Sequence, residues 1–214
     1  MSKEDYANIF ELFQTGICST HKNNEIIMRP HEGYDNVYFI ESGWAHAYTL
    51  CANGDIRIIH TYYSGDIFSL IYHSEEQQLH VGVMALGSCR VWRISRQRFI
   101  RAREASSALT NEVMHQLTNC HMQALTEREY LQYRSAEERI MYRLKTLANH
   151  FGQPGHTGTI IEVPINNTYL ARSTHLTRET ASRQMSLFIQ RGEIMIKNGR
   201  VHILDTTAFD RIIS

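Results

Sequence analysis

The sequence lacks the segments and cysteine pairs that mark membrane, secreted or zinc-binding proteins. No apolar run approaches the roughly 18 residues that a membrane-spanning helix needs, and the first six residues are mostly charged or polar. The four cysteines are more than thirty residues apart each time, so there is no CxxC pair to hold zinc. None of the twelve histidines lies in HxH or HExxH order. These absences favour a cytoplasmic, soluble protein with reduced thiols and no metal site.

Positive and negative charges are equal in number, but they are unevenly placed along the 214 residues. Residues 1–134 hold 12 basic and 15 acidic side chains, whereas residues 135–214 hold 10 basic and 7 acidic ones. Between Asn166 and Leu204, six basic residues stand against two acidic ones. A basic patch on a neutral chain can attract phosphate, although the charge taken alone favours a solvated surface.

The first half of the chain is typical of an antiparallel β-domain. Segments rich in Val, Ile, Tyr, Phe and Trp are separated by glycines at intervals of about ten residues, which suits a barrel or sandwich. Ser42-Gly43 and Asn53-Gly54-Asp55 are predicted to be hairpin turns. The predicted strands are Glu25–Arg29, Asn36–Glu41, Trp44–Cys51, Ile56–Tyr63, Leu79–Leu86 and Arg90–Ile94.

A long helix is predicted over residues 103–134, which contain neither glycine nor proline, after a short helix that Ser95 caps. Such a helix would be ~45 Å long, longer than a small barrel needs for its own packing, so we predict that it mediates dimerisation. A helix laid along the barrel is the alternative. The predicted dimer contacts, on an a/d-like spacing that Arg128 interrupts, are Met114, Leu117, His121, Ala124 and Leu131.

Two short helices joined by a tight turn are predicted near the carboxyl end. Ser135-Ala-Glu-Glu has the form of a capping box and starts a new helix before them. Asn166 or Asn167 caps the first short helix, and Thr177 caps the second, which ends before Gly192. Together with the short turn between them, these helices are typical of a helix-turn-helix.

The second of these helices presents polar residues on one side. With Arg178 at zero on a helical wheel, Ser182, Glu179 and Arg183 lie at about 40°, 100° and 140°. Arginine can bond guanine through two N–H groups, and glutamate can accept from cytosine N4, so these four residues are predicted to contact bases. The apolar residues lie between roughly 280° and 340°. They are Ala181, Met185 and Phe188.

A β-wing is predicted directly after this helix. Asn198-Gly199 between alternating apolar residues is a strong hairpin signal, and Asp205 is predicted to cap a last short helix through Ile213. Cations at the tip of a wing and around a helix-turn-helix meet phosphates. The residues predicted to contact the DNA backbone are Arg172, Thr177, Lys197 and Arg200.

Across nearly the whole chain these residues resemble the Crp–Fnr family of bacterial transcription factors, the cyclic-AMP receptor and fumarate–nitrate regulator type. The segments that carry the resemblance begin at Val37 (VYFIESG), Asn53 (NGD), Tyr63 (YSGDIF) and Leu176 (LTRETASR). The first resembles a hairpin of the family's sensor barrel. The next two resemble a second hairpin and its following turn, and the last resembles the helix-turn-helix.

The resemblance implies an α+β fold with three parts. An N-terminal antiparallel β-roll, a jelly roll like that of cyclic-nucleotide-binding domains, occupies residues 1–102. A long dimerisation helix occupies residues 103–134, and a C-terminal winged helix-turn-helix occupies residues 135–214. The implied function is that of a homodimeric transcription regulator, not an enzyme, with double-stranded DNA and RNA polymerase as partners.

Within the recognition helix, Glu179-Thr-Ala-Ser-Arg is similar to the E-x-x-S-R pattern of the fumarate–nitrate branch. The similarity implies half-sites like TTGA/TCAA, repeated as an imperfect palindrome. His175 stands where the family usually has glycine in the turn.

The sensor departs from the two best-known chemistries of the family. Gly65-Asp66-Ile67-Phe68 stands where cyclic-AMP binders carry G-E-[LI]-[AG], and the downstream window Gln78–Ala85, where they carry R-[ST]-A, has no arginine to pair a cyclic phosphate. We therefore predict that cyclic AMP is not bound in the usual way. Iron–sulfur members need three clustered N-terminal cysteines, but only Cys18 lies there, so a cluster on that plan is not expected.

The effector is left unidentified, and three alternatives stay open. The candidate effector pocket comprises Asp66, Phe68, His73 and His80. A haem held by His73 or His80 is one alternative cofactor, and a constitutive regulator with an apolar-filled barrel is another. The third, from a different class, is a metal-dependent cupin enzyme with an accessory helical domain, which the missing HxH pattern disfavours.

Overall fold

The computed structural model describes residues 3–30, 35–70, 81–156 and 158–205. The chain divides into two compact units, Met1–Gln123 and Ala124–Ser214. Over the described ranges, no helix is long and apolar enough to cross a membrane.

The first unit is built on an antiparallel sheet with helices before and after it. Strand order is β1-β6-β3-β4, with β2 paired to β6 and β5 paired to β3. The elements are α1 (Lys3–Gln14), β1 (Ile17–His21), β2 (Ile26–Met28), β3 (Asn36–Leu50), β4 (Ile56–Tyr63), β5 (Ile67–Phe68), β6 (Val81–Ser95), α2 (Arg96–Ala105) and α3 (Ser107–Tyr133), the last of which continues into the second unit.

Strand β3 is covered on both faces, because alternate side chains of a strand point to opposite sides. Val37 and Phe39 pack in a cluster with Phe13 of α1 and Phe99 of α2. Tyr38 and Ile40, which point to the other face, pack in a second cluster with Phe68 of β5 and Val83 of β6. The consecutive apolar residues of the VYFI segment therefore indicate a strand buried on both faces.

The predicted hairpin at Ser42-Gly43 is wrong. Residues on both sides of it belong to one strand, β3, and both pair with β6 through register shifts at Ile40–Trp44. Gly43 has a φ of +87°, and an added Cβ would lie 2.1 Å from the carbonyl oxygen of Ser88. The glycine thus marks an irregularity that bends a continuing strand.

Helix α1, strand β1 and a break in the long helix were not predicted. The apolar residues of α1, including Ile9 and Phe13, are buried in the first cluster. The helical region that begins at Arg96 is interrupted at Ser106, whose hydroxyl accepts from the N–H of Leu109 at 3.2 Å and starts α3. The predicted cap at Ser95 is confirmed, since its side chain accepts from the N–H of Arg98.

The second unit consists of helices packed beside a four-stranded antiparallel sheet of order β7-β8-β10-β9. The capping box at Ser135 is confirmed, because its hydroxyl and the Glu138 carboxylate each accept from the other residue's backbone N–H. The elements are α4 (Ala136–Phe151), β7 (Gly152–Gly155), β8 (Gly158–Ile161), α5 (Asn167–Thr174), α6 (Arg178–Gln190), β9 (Ile194–Lys197) and β10 (Arg200–Ile203).

The predicted fold class is confirmed in its three parts: an antiparallel β-domain, a long helix and a C-terminal winged helix-turn-helix. The boundaries at 102/103 and 134/135 stay predictions. The short helix predicted from Asp205 to Ile213 lies outside the described residues.

Candidate nucleic-acid interface

Helix α5 is fixed by its cap and by a buried face. The Asn166 side chain accepts from the N–H of Tyr169 at 2.9 Å, so Asn166 rather than Asn167 is the N-cap. Tyr169, Leu170 and Ala171 are buried. The helix is therefore anchored in the core of the second unit and supports the turn that follows it.

The turn between α5 and α6 depends on one left-handed residue. His175 has φ 57° and ψ 38°, and its backbone N–H donates to the Ala171 carbonyl oxygen. The N–H of Leu176 donates to the same oxygen at 3.0 Å. Glycine adopts this left-handed conformation most readily. His175 adopts it here in place of glycine, and the turn is preserved.

Helix α6 places its polar and apolar residues as the helical wheel predicts. The Thr177 hydroxyl caps the helix by accepting from the N–H of Thr180 at 3.1 Å. Arg178, Glu179 and Arg183 are exposed, and Ser182 is half-buried beside them. The residues of the opposite face, Ala181, Met185 and Phe188, are buried. The first two turns of α6 thus offer a polar surface, the arrangement that a reader of the DNA major groove needs.

The wing follows α6 as predicted. Lys197 pairs with Arg200 across the hairpin, and Asn198 and Gly199 both have positive φ, as a type I′ turn requires. The Lys197 side chain is exposed at the tip. Arg200 is half-buried and forms an ion pair with Glu162, so a phosphate would have to compete for its guanidinium.

The basic residues of this region divide into two groups. Arg191 binds the carboxylates of Glu137 and Glu193 at 2.7 Å and 3.0 Å, and Arg200 binds Glu162. Four others form no ion pair within the described part of the chain. They are Arg172, Arg178, Arg183 and Lys197. The cations that carry the predicted base and backbone contacts are mostly those whose charge is not neutralised.

The predicted effector pocket is only partly described. His73 and His80 lie outside the described residues. Phe68 is buried and stacks on Tyr38, with ring centroids 4.9 Å apart, and on Tyr62, at 5.2 Å. These rings fill part of the interior of the roll.

The carboxyl group of Asp66 is held inside its own turn. It accepts from the N–H of Tyr63 at 2.9 Å. Burial raises the pKa of Asp66 to about 7, the Tyr63 hydrogen bond lowers it, and the Glu112 carboxylate raises it further. Burial likewise raises the pKa of Tyr62 and Tyr63, with the charge of Asp66 as a further cause.

Gln116 of α3, which the sequence analysis missed, fastens this turn to the helix. Its side-chain oxygen accepts from the N–H of Ile67 at 3.0 Å, and its side-chain nitrogen donates to the Gly65 carbonyl oxygen at 3.2 Å. A glutamine in a helix usually faces solvent, so the sequence held no signal for this contact.

The predicted dimer contacts on α3 are largely accessible in the single chain. Met114 and Leu117 are 57% and 38% exposed, His121 and Ala124 are also exposed, and Leu131 is half-buried. Two further apolar side chains of the helix, Met122 and Leu125, are exposed as well, although the sequence analysis did not single them out.

Comparisons with known proteins agree with this arrangement. A cyclic nucleotide-binding domain model matches residues 19–106, and a Crp-like helix-turn-helix domain model matches residues 138–212. Both domains therefore occur in one chain, in the order that the fold shows. The protein is a Crp–Fnr family regulator.

Relatives of this Crp–Fnr regulator include curated transcription regulators. It is 24% identical to the electron transport regulator A of Shewanella oneidensis over 185 residues, which are 86% of this chain and 73% of that protein. It is also 24% identical to the transcriptional activator protein Anr of Pseudomonas protegens over 184 residues, 86% of this chain and 75% of that one. Both relatives are named as regulatory proteins, the second as a transcriptional activator.

Solved structures share the fold of the Crp–Fnr regulator. FixK2 from Bradyrhizobium japonicum has a TM-score of 0.80 at 17% identity, covering 92% of this chain and 96% of that one. A mutant of CooA from Carboxydothermus hydrogenoformans has a TM-score of 0.80 at 18% identity, covering 95% of this chain and 90% of that one. At these identities the likeness concerns the fold alone.

Proposed function

We propose that this Crp–Fnr regulator is a cytoplasmic homodimer that reads a palindromic DNA site with TTGA-like half-sites through α6. Arg178, Glu179, Ser182 and Arg183 contact base edges in the major groove. The observation that carries the proposal is that these side chains lie on the accessible face of a helix whose other face is buried.

The DNA backbone is bound by residues around this surface. Thr177 caps the start of α6, Arg172 lies in the last turn of α5, and Lys197 is exposed at the tip of the wing. Arg200 contributes only after its ion pair with Glu162 opens. Each phosphate contact releases counterions, so binding weakens steeply as the salt concentration rises.

The homodimer is formed through α3. Exposed apolar side chains recur along this helix at Met114, Leu117, Met122 and Leu125, and an exposed apolar stripe of this kind marks a protein interface. A second copy of the same helix covers it and sets the two copies of α6 on successive half-sites. RNA polymerase is the further partner of the DNA-bound dimer.

The signal at the β-roll is something other than cyclic AMP bound in the usual way or an iron–sulfur cluster. Asp66 is occupied by the Tyr63 amide, and the rings of Tyr38, Tyr62 and Phe68 fill part of the interior. Residues 71–80 hold two glutamates and no arginine or lysine that would pair a cyclic phosphate.

A binding titration tests this function. The purified chain is mixed with a duplex that carries two TTGA/TCAA half-sites and with a duplex in which one half-site is scrambled. We expect one dimer per intact site and a large loss of affinity on scrambling. Equal affinity for both duplexes, or binding as a monomer, would contradict the proposal.

A further inference from the structure

A buried arginine joins three helices of the second unit. Arg143 of α4 has a side chain that is 5% exposed, and its Nη1 lies 2.7 Å from the Glu127 carboxylate near the end of α3. Its Nη2 donates to the backbone carbonyl oxygen of Ser173, in the last turn of α5, at 3.1 Å. One guanidinium thus connects the end of the long helix to the helix-turn-helix.

The contact with Arg143 gives a hydrogen-bond partner to the Ser173 carbonyl oxygen, which has none within α5. The last four carbonyl groups of a helix have no partner within it, and a cation there also complements the helix dipole. Ser173 and Thr174 are fully buried, so water does not replace this partner readily. The residue that follows them is His175, the left-handed residue of the turn that leads into α6.

The ion pair is costly to break because it is buried. Burial lowers the pKa of Arg143, but the Glu127 carboxylate beside it and the hydrogen bond between them more than offset this effect, so the net pKa is raised. Removing one partner would leave the other charge, or the Ser173 carbonyl, desolvated and unpaired.

The packing around the bridge fixes α3 and α4 against each other. The rings of Tyr130 on α3 and Tyr142 on α4 stack with centroids 3.9 Å apart and planes 13° from parallel. The Arg134 guanidinium lies over the same Tyr130 ring, 5.5 Å from its centroid. This stacking holds α4 against the end of α3 next to Arg143. The two contacts of the Arg143 guanidinium therefore determine where α5 lies relative to the end of α3.

We propose that Arg143 is a positioning residue for DNA recognition, which transmits the orientation of the dimerisation helix to the recognition helix through Glu127 and the Ser173 carbonyl. Its role is to fix the separation of the two copies of α6 and hence the half-site spacing that the dimer accepts. This inference rests on the dimeric, palindrome-reading function proposed above.

The test compares DNA duplexes whose half-sites are separated by the preferred spacer or by a spacer one base pair longer. The variant to measure is Glu127→Gln/Arg143→Met, since removing both charges avoids an unpaired buried ion and lets the unit fold. We expect the wild type to prefer its own spacer about tenfold and the variant to lose most of that preference. Binding to a single half-site, and the bases preferred within it, should not change.

Two controls separate positioning from stability. Leu147→Ala removes buried apolar volume from the same helix but keeps Glu127, Arg143 and their charges in place, and it should lower the melting temperature while keeping the wild-type spacer preference. Arg90→Met removes an ion pair with Glu41 in the first unit, outside the bridge, and should also keep that preference.

The outcomes are distinguishable. A double variant that keeps the wild-type spacer preference would overturn the inference, and so would equal loss in Leu147→Ala. A wild type that binds palindromes of every spacing alike would overturn the dimeric function itself, and the inference with it.

Discussion

The side-chain oxygen of Gln116 accepts a hydrogen bond from the backbone N–H of Ile67 at 3.0 Å. The nitrogen of the same amide donates to the carbonyl oxygen of Gly65 at 3.2 Å and to the Glu112 carboxylate at 3.1 Å. A single side chain on α3 thus holds both sides of the turn that contains Asp66. Gln116 therefore fastens this turn of the β-domain to the long helix.

Replacing Gln116 by alanine should destabilise the first unit by about 1–3 kcal/mol, since the Ile67 N–H loses its partner in a part-buried site. Denaturant unfolding measures the loss, and hydrogen exchange at the Ile67 amide locates it. Asn111→Ala, at an exposed position of the same helix, is the matched control. Equal stabilities for the two variants would show that the amide bridge contributes nothing.

Asp66 should make stability depend on pH. Its pKa is about 7 in the folded chain, mainly through burial, against about 3.9 when unfolded. Between these values the unfolded chain has released a proton that the folded chain keeps, so this group's contribution to stability falls as pH rises from about 4 to 7. Above pH 7 the carboxyl group is ionised in both the folded and the unfolded chain, so its destabilising effect no longer changes with pH.

The variant Asp66→Asn removes this penalty and retains an oxygen for the Tyr63 amide. Its stability relative to the wild type should therefore rise by about 3.5 kcal/mol between pH 4 and pH 7.5, since the two pKa values differ by about three units and each unit corresponds to about 1.4 kcal/mol. Unfolding curves across that range measure the difference, and Asp55→Asn in an exposed turn is the control. A difference that does not vary with pH would contradict a raised pKa for Asp66.

His175→Gly should stabilise the second unit. The left-handed conformation of residue 175 costs a non-glycine residue about 1–2 kcal/mol, and glycine removes this cost. Glycine also gives the unfolded chain more conformational entropy, which offsets part of the stabilisation. We expect a net gain of up to about 1 kcal/mol, seen as a higher melting temperature with no change in DNA sequence preference. His156→Gly, at an exposed position outside the helix-turn-helix, is the comparison. A lower melting temperature for His175→Gly would show that the histidine side chain stabilises the turn.

The helix caps and turns of the second unit were predictable because the sequence carries local signals for them. Caps at Ser135, Asn166 and Thr177 and the Asn198-Gly199 turn each act through a hydrogen bond or a φ value within a few residues. The exposed face of α6 follows from the helical repeat alone. Such features are readable because they depend on neighbours in the chain.

Features that depend on distant residues were not predictable. Gly43 looks like a hairpin residue, and only the pairing of both halves of β3 with β6 shows that the strand continues. Gln116 and Arg143 give no local signal, because their partners lie 49 and 30 residues away in sequence. The contacts that join the β-domain turn to α3, and α4 to α5, are therefore visible only in the folded chain.

Lys197→Ala should weaken binding to all DNA sequences alike and reduce the slope of log affinity against log salt by about 1. Its exposed position at the wing tip suits a phosphate contact that carries no base information. Titrations at several salt concentrations measure the slope. Lys145→Ala, on α4, is a control for the loss of one positive charge. A change in base preference for Lys197→Ala would contradict a backbone role.

The most direct test of the account is selection of bound duplexes from a random DNA pool by the wild type and by Glu179→Ala. The wild type should enrich an imperfect palindrome of TTGA/TCAA half-sites. Glu179→Ala should relax the preference at one base pair of each half-site by about 1–3 kcal/mol and leave the others unchanged. Enrichment of the same sequences by both proteins, or of none by the wild type, would contradict the claim that the exposed face of α6 reads DNA.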